Sequence, residues 1–146
     1  MFLYPDEILM NKLAKVTETP FYRYKFGYRG TMNRIYLAFG LKENFGVGHS
    51  NELLYLFNYG SLFNNISQHD EHIVNVMIDL WTSFAIVGKP SSNSLKNSNL
   101  WQQYINNQSF LQIGNINDNM NPTITFENKF GTTRLDFWKQ HFPVDV

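Results

Sequence analysis

The sequence has no cysteine, so disulfides, thiolate metal sites and thiol nucleophiles are excluded. Neither sign of charge is in excess, because 12 basic and 12 acidic side chains give a net charge of zero. A nucleic-acid or anionic-membrane partner needs a basic patch, and the sequence predicts neither partner. No apolar run approaches the roughly 20 residues of a membrane span. Residues 1–8 lack a basic segment followed by a long apolar one, so no signal peptide is predicted there and the compartment stays unknown.

What the sequence does contain is material for a core. Its 146 residues are 43% hydrophobic and 16% aromatic, which predicts one ordinary domain and no extended disorder. The serine- and asparagine-rich stretch 91–99 is predicted to be a loop. It does not divide the chain into domains, because neither side is large enough to bury a core alone.

The first half of the chain shows one helical and one extended pattern. Apolar residues spaced close to a helical period, including Leu9 and Val16, predict a helix within residues 1–18 that ends before Pro20. Residues 21–28 alternate, with Tyr22, Tyr24, Phe26 and Tyr28 on one face, and predict a strand. Residues 31–44 are interpreted as a surface connection.

The second half contains the clearest helix. Ser67 to Asp70 is typical of a capped helix start, and Gly88-Lys89-Pro90 is typical of a helix end, so a helix is predicted from about Asp70 to Val87. Apolar residues at helical spacing define its predicted core face: Ile73, Met77, Leu80, Trp81 and Phe84. Residues 110–114 and 123–126 are predicted to be extended, and residues 132–140 to form a final amphipathic helix. Its Phe137 and Trp138 are interpreted as core residues before ligand contacts.

One segment points to chemistry. Between Phe45 and Phe57, His49 follows two glycines, Gly46 and Gly48, which give the backbone the freedom to turn sharply. The histidine is therefore predicted to lie on a loop. From the residue type alone, an ordinary surface or partly buried histidine is the commoner interpretation, and a catalytic one is the alternative.

The wider pattern adds a family resemblance. Residues 46–57 read Gly-x-Gly-His-x-x-Glu-Leu-x-Tyr-x-Phe, between an aromatic strand and a long apolar helix. This resembles the catalytic-histidine region of the type-B carboxylesterases, the cholinesterase-like α/β-hydrolases, which include insect-type carboxylesterases and juvenile hormone esterases. The resemblance extends from about Phe21 to about Pro143. It implies an α/β fold in which residues 1–146 are the C-terminal fragment of the domain, with a few strands, packed helices and an incomplete sheet.

The resemblance also implies an activity. In such enzymes, which hydrolyse small carboxylic esters through an acyl-serine intermediate, the residue at the position of His49 is the general base and acid. No cofactor and no metal are implied. Ser50 and Asn51 stand where a glycine or alanine, and then often an aspartate, are usual, and neither change removes the imidazole.

The other catalytic groups are missing from the sequence. In α/β-hydrolases the serine and the acid precede the histidine in the chain, and no Gly-x-Ser-x-Gly motif occurs here. Glu52 is interpreted as a cap of the following helix and not as the acid. The chain is therefore expected to be inactive alone, with the missing N-terminal part of the hydrolase domain as its partner. Two alternatives stay open: a non-catalytic binding or adhesion homologue, and a truncated or pseudogene product.

A metal site was considered at His69 and His72, which are spaced to share a helix face. Two histidines without a third ligand are weak evidence for zinc. The solvated start of a helix explains both residues, and this interpretation is favoured.

Overall fold

The computed structural model describes residues 3–40, 43, 45–57, 65–104, 109–115, 122–128 and 131–143. Within them the chain forms five helices and three strands, in the order α1 (Leu3–Val16), β1 (Tyr24–Phe26), α2 (Arg34–Phe39), α3 (Leu53–Leu56), α4 (Gln68–Val87), β2 (Phe110–Ile113), β3 (Ile124–Glu127) and α5 (Thr132–His141). No helix in these ranges is both long and apolar enough to cross a bilayer.

The strands form one small mixed sheet in the order β1-β2-β3. β1 runs parallel to β2, with Tyr24 opposite Leu111, and β3 runs antiparallel to β2, with Phe126 opposite Leu111. Every residue of β2 is buried. A mixed sheet with packed helices confirms the predicted α/β class.

Helix α4 supplies four of the eleven buried residues that the structure describes in the main apolar core. Four of its side chains are fully buried: Ile73, Val76, Met77 and Leu80. Burying each of them is worth roughly 1.5–3 kcal/mol, so this face contributes a large part of the packing energy. The predicted capping is confirmed, since the Ser67 hydroxyl accepts a hydrogen bond from the Asp70 N–H and Gly88 ends the helix with φ of 71°.

The prediction that Phe84 belongs to this core face is wrong. Phe84 is 46% exposed, and Trp81 is only partly buried, with its ring edge-on to Tyr24 at a centroid distance of 4.9 Å. Residues 84–87, the last turn of this 20-residue helix, are all exposed. The apolar surface there is left open.

Four other features differ from the predictions. The predicted strand is shorter than expected, and residues 34–39, interpreted as a connection, form α2. In α5 the buried residue is Leu135, whereas Phe137 and Trp138 are largely exposed. In α1, Leu9 and Val16 are exposed, and Glu7 and Met10 are the buried residues.

The burial of Glu7 follows from an ion pair that the hydrophobic pattern could not indicate. Arg23 and Glu7 are only 3% and 1% exposed, and Arg23 Nη1 donates to Glu7 Oε2 at 2.7 Å. Arg23 also binds Asp6, with Nε 2.8 Å from Oδ2. Successive side chains of an extended segment point to opposite faces, so Arg23 meets α1 while Tyr24 meets α4. The sheet therefore has helices on both faces.

A second buried charge joins α4 to the segment that follows β1. Asp70 is 0% exposed, and its carboxylate accepts hydrogen bonds from the Thr31 N–H and hydroxyl, the Ser67 N–H and hydroxyl, and the Tyr55 hydroxyl, at 2.6–3.3 Å. Burial alone raises the pKa of the Asp70 carboxyl, but the hydrogen bonds from Ser67 and Thr31 outweigh burial and leave the pKa below its ordinary value. The ionised carboxylate is thus the form that the fold stabilises.

Replacing Arg23 is expected to be strongly destabilising. Arg23→Ala leaves the Glu7 carboxylate buried without its main counter-charge, and we expect a loss of about 3–5 kcal/mol in the free energy of unfolding. Denaturant titration of the chain measures it. The double variant Arg23→Met with Glu7→Leu is the control and should lose much less. The single variants Arg23→Met and Glu7→Leu complete the cycle, and a double-variant loss equal to the sum of their losses would show that the two charges do not interact.

Asp70→Asn tests the second charge through its pH dependence. The substitution should lower the free energy of unfolding by about 1–3 kcal/mol at neutral pH, because the N–H and O–H donors around Asp70 lose a charged acceptor. The folded-state pKa lies below the unfolded value of about 3.9, so this stabilisation is complete above about pH 5 and is lost as the pH falls through the folded-state pKa. The stability gap between wild type and Asp70→Asn should therefore shrink below about pH 4. Glu71→Gln, on the exposed side of the same turn, is the control. A stability difference that stays constant with pH would contradict the lowered pKa of Asp70 in the folded state.

Candidate active site

His49 lies on a tight turn. The Asn51 N–H donates to the Gly48 carbonyl at 3.3 Å, which makes His49 and Ser50 the two central residues of the turn. Ser50 has φ of 63°, the positive value that the third position of a type II turn requires. Of the two predicted glycines, Gly46 adopts a positive φ of 82°, whereas Gly48 does not. The left-handed residue of the turn is the serine, a type that adopts this conformation at a cost of about 1–2 kcal/mol.

The loop that carries this turn reaches the carboxyl ends of β1 and β2. Val47 lines a cavity of about 410 Å³ together with Phe26 and Gly27, at the end of β1, and Asn115, just beyond β2. Lys25 and Arg134 also line it. Carboxyl ends of parallel strands are where open α/β sheets bind ligands.

The side chain of His49 is exposed, as the loop prediction requires. Glu52 does not have its predicted role, because it occupies the first position before α3 without a capping hydrogen bond from its side chain. Its carboxylate lies near Tyr24 instead. Burial raises the pKa of the Tyr24 phenol, and the charge of Glu52 raises it further.

Buried polar groups hold the other side of the turn. Asn51 is 1% exposed, its Oδ1 accepts from the Arg34 N–H at 2.9 Å, and its Nδ2 lies 3.5 Å from the Met32 carbonyl oxygen. The Tyr55 hydroxyl, also buried, lies 3.1 Å from the same Met32 oxygen and 3.3 Å from Asp70 Oδ1. Burial, and then the Asp70 charge, raise the pKa of the Tyr55 phenol, so Tyr55 stays a neutral donor.

The sequence alone does not indicate this network of hydrogen bonds. Asn51 was noted only as a departure from a family pattern, and Tyr55 only as part of an aromatic motif. One signal was available, since the Ser67–Asp70 capping pair already placed a carboxylate at the start of α4. Nothing in the sequence indicates that Thr31 and Tyr55 would reach the same carboxylate.

His69 and His72 are the two histidines for which a metal site is the disfavoured interpretation. His69 is exposed and His72 partly buried in the first turns of α4. In the ranges that the structure describes, no group of three histidine, aspartate or glutamate side chains could hold a metal ion.

Comparison with known proteins shows a family match over nearly the whole chain. The model of the carboxylesterase family matches residues 1–138. A carboxylic ester hydrolase from Bombus ignitus is 27% identical over 128 residues, which cover 86% of this chain and 21% of that protein. A juvenile hormone esterase from Tribolium castaneum is 34% identical over 85 residues, which cover 55% of this chain and 14% of that protein. A juvenile hormone esterase from Heliothis virescens is 26% identical over 137 residues, which cover 91% of this chain and 23% of that protein.

The curated relatives are all much longer than this chain. The chain spans between 14% and 23% of the curated relatives that it matches. It therefore corresponds to a part of a larger protein of this kind. The family match over residues 1–138 shows that this chain belongs to the carboxylesterase family.

Proposed function

We propose that the chain is the C-terminal, histidine-bearing part of a serine hydrolase that acts on small carboxylic esters. His49 is the general base that takes the proton of a serine hydroxyl as the serine oxygen attacks the ester carbonyl. The imidazolium then gives that proton to the leaving alcohol, and an acyl-serine remains. Water, activated by the same imidazole, hydrolyses the acyl-serine and releases the acid.

One observation carries this proposal: in a chain of the carboxylesterase family, an exposed His49 lies on a tight turn, and the loop that carries this turn reaches the carboxyl ends of two parallel strands through Val47. A general base must reach the proton that it abstracts, and the exposed side chain of His49 meets that condition. The location supports the same role, because ligands of open α/β sheets bind at this end of the strands.

The serine, the acid and the oxyanion donors come, on this proposal, from the remaining N-terminal part of the hydrolase domain. The sequence of this chain has no Gly-x-Ser-x-Gly motif that could present the serine. The curated relatives are four to seven times as long as their matched segments, which leaves room for these groups. That remaining part is therefore the proposed partner of this chain.

The outer edge of β1 supports such a partner. Arg23 and Gly27 bond to β2 through their backbone, and backbone groups alternate in direction along a strand, so those of Tyr24 and Phe26 point away from β2. No strand among the described residues pairs with that edge. An unpaired edge flanked by aromatic side chains is a template for a further strand.

The open face of α4 points the same way. Phe84 and Val87, three residues apart and so on one face of the helix, leave large parts of their surface exposed at its C-terminal end. Tyr22 of the strand segment packs edge-on against Phe84 at a centroid distance of 5.7 Å, so this apolar patch continues to β1. A contiguous exposed apolar patch marks an interaction surface.

The 146-residue chain alone is expected to have no esterase activity. With a short-chain aryl ester, its rate should not exceed that of free imidazole at the same concentration. A serine-directed organophosphate should not label it, whereas it should label a protein that contains this chain and the rest of the domain. Turnover that the organophosphate abolishes would place a complete active site inside residues 1–146 and contradict the proposal.

His49→Ala tests the role of the histidine in the longer protein. The rate constant should fall by roughly 10⁴-fold or more, while the KM changes much less, because binding and the oxyanion donors remain. His69→Ala, an exposed histidine on α4, is the matched control and should keep normal turnover. Near-normal turnover of His49→Ala would mean that His49 is structural. A wild-type longer protein without any turnover would favour a non-catalytic binding homologue.

A further inference from the structure

The turn that carries His49 contains a backbone conformation that its own residue types do not favour. Its two central residues are His49, which is exposed, and Ser50, which has a positive φ. A non-glycine residue in that conformation persists only where its surroundings impose it. The buried residue that flanks the turn, Asn51, contributes to that restraint.

Asn51 is the flanking residue with the strongest restraint. It closes the turn through its N–H, and its buried side chain binds the segment before and at the start of α2. The Oδ1 contact with the Arg34 N–H, at 2.9 Å, has ordinary hydrogen-bond length, whereas the Nδ2 contact with Met32, at 3.5 Å, is at the limit. The acceptor function of Asn51 thus contributes more than its donor function.

The segment that Asn51 binds is itself fixed to the core. Asp70 holds Thr31 through both its backbone N–H and its hydroxyl, and the Tyr55 hydroxyl reaches the Met32 carbonyl. Asp70 lies in the first turn of α4, and the turns that follow it place four apolar side chains in the core. A continuous set of hydrogen bonds therefore connects the core helix to the residue two positions after His49.

We propose that Asn51 is a positioning residue for His49: its buried side chain fixes the turn on which the imidazole is carried, and so sets where the imidazole meets the serine. This rests on the proposed function of His49 as the general base. Asn51 does not touch the reacting atoms and acts only through the turn. A displacement of a catalytic group by about 1 Å can cost on the order of 100-fold in rate, so a loosened turn is enough to matter.

Three variants separate positioning from general stability. Asn51→Ala removes both side-chain bonds of Asn51. Asn51→Asp keeps the acceptor that the Arg34 N–H uses, gives up the weaker Met32 contact and adds a carboxylate charge that the Arg34 N–H helps to satisfy. Ser83→Ala is the control, because it removes side-chain hydrogen bonds to Ser91 at the other end of α4, away from the turn.

Hydrogen exchange of the 146-residue chain, followed by mass spectrometry, is the first measurement. Asn51→Ala should speed exchange in peptides covering residues 48–55 by about 10-fold or more, which corresponds to a local loss of about 1.4 kcal/mol. Asn51→Asp should speed it much less, and Ser83→Ala should leave these peptides unchanged. Unchanged exchange in Asn51→Ala, or an equal change in Ser83→Ala, would show that Asn51 does not specifically restrain the turn.

Kinetics of the longer protein are the second measurement. Asn51→Ala should lower the kcat by about 10–100-fold and leave the KM within about twofold, and Asn51→Asp should recover most of the kcat. Normal kcat in Asn51→Ala would overturn the positioning role. If His49→Ala keeps its turnover, the proposed function fails, and the exchange measurement still decides whether Asn51 holds the turn.

Discussion

The carboxylate of Asp70 is the constraint on which the arrangement of this chain depends. It joins the start of α4, where it also binds Ser67, to two segments that lie 39 and 15 residues earlier in the chain, at Thr31 and Tyr55, and it does so from a fully buried position. Apolar burial is not directional, so it can drive the packing of α4 on the sheet without fixing which residues face each other. Hydrogen bonds to a charged group fix that register. The same need explains Gly30, where a Cβ atom would lie 1.9 Å from Asp70 Oδ1.

The opposite face of the sheet is fixed in a similar way. Arg23 enters the layer between β1 and α1 and meets two carboxylates of α1, one of them buried. Each face therefore combines apolar contacts with one buried charge cluster. A buried ion pair is weak evidence for high stability, since dehydrating two charges is costly. Its use here is geometric, because it allows one placement of α1 against the strand.

The sequence predicted what depends on local periodicity and failed where distant residues meet. The helix α4, predicted from about Asp70 to Val87, and the strand at Tyr24 were predictable because capping, helical spacing and alternation are local. The burial of Glu7 and the exposure of Phe84 depend on what lies opposite, and a single chain does not state that. The loop position of His49 was predictable from its glycines. Its anchor at Asn51 was not, because a buried asparagine and an exposed one look alike in sequence.

The anchors of the His49 turn and the open surfaces of the chain lie in different places. Asn51, Tyr55 and Asp70 are all buried within the core of this chain, so the groups that restrain the turn belong to the chain itself. By contrast, the edge of β1 and the exposed side of α4 around Phe84 have no partner among the described strands and helices. On the proposed function, this chain determines the orientation of the imidazole, and the interface determines its distance from the serine. Loosening the turn would then lower the rate in an otherwise intact enzyme, whereas weakening the interface would lower the fraction of assembled enzyme.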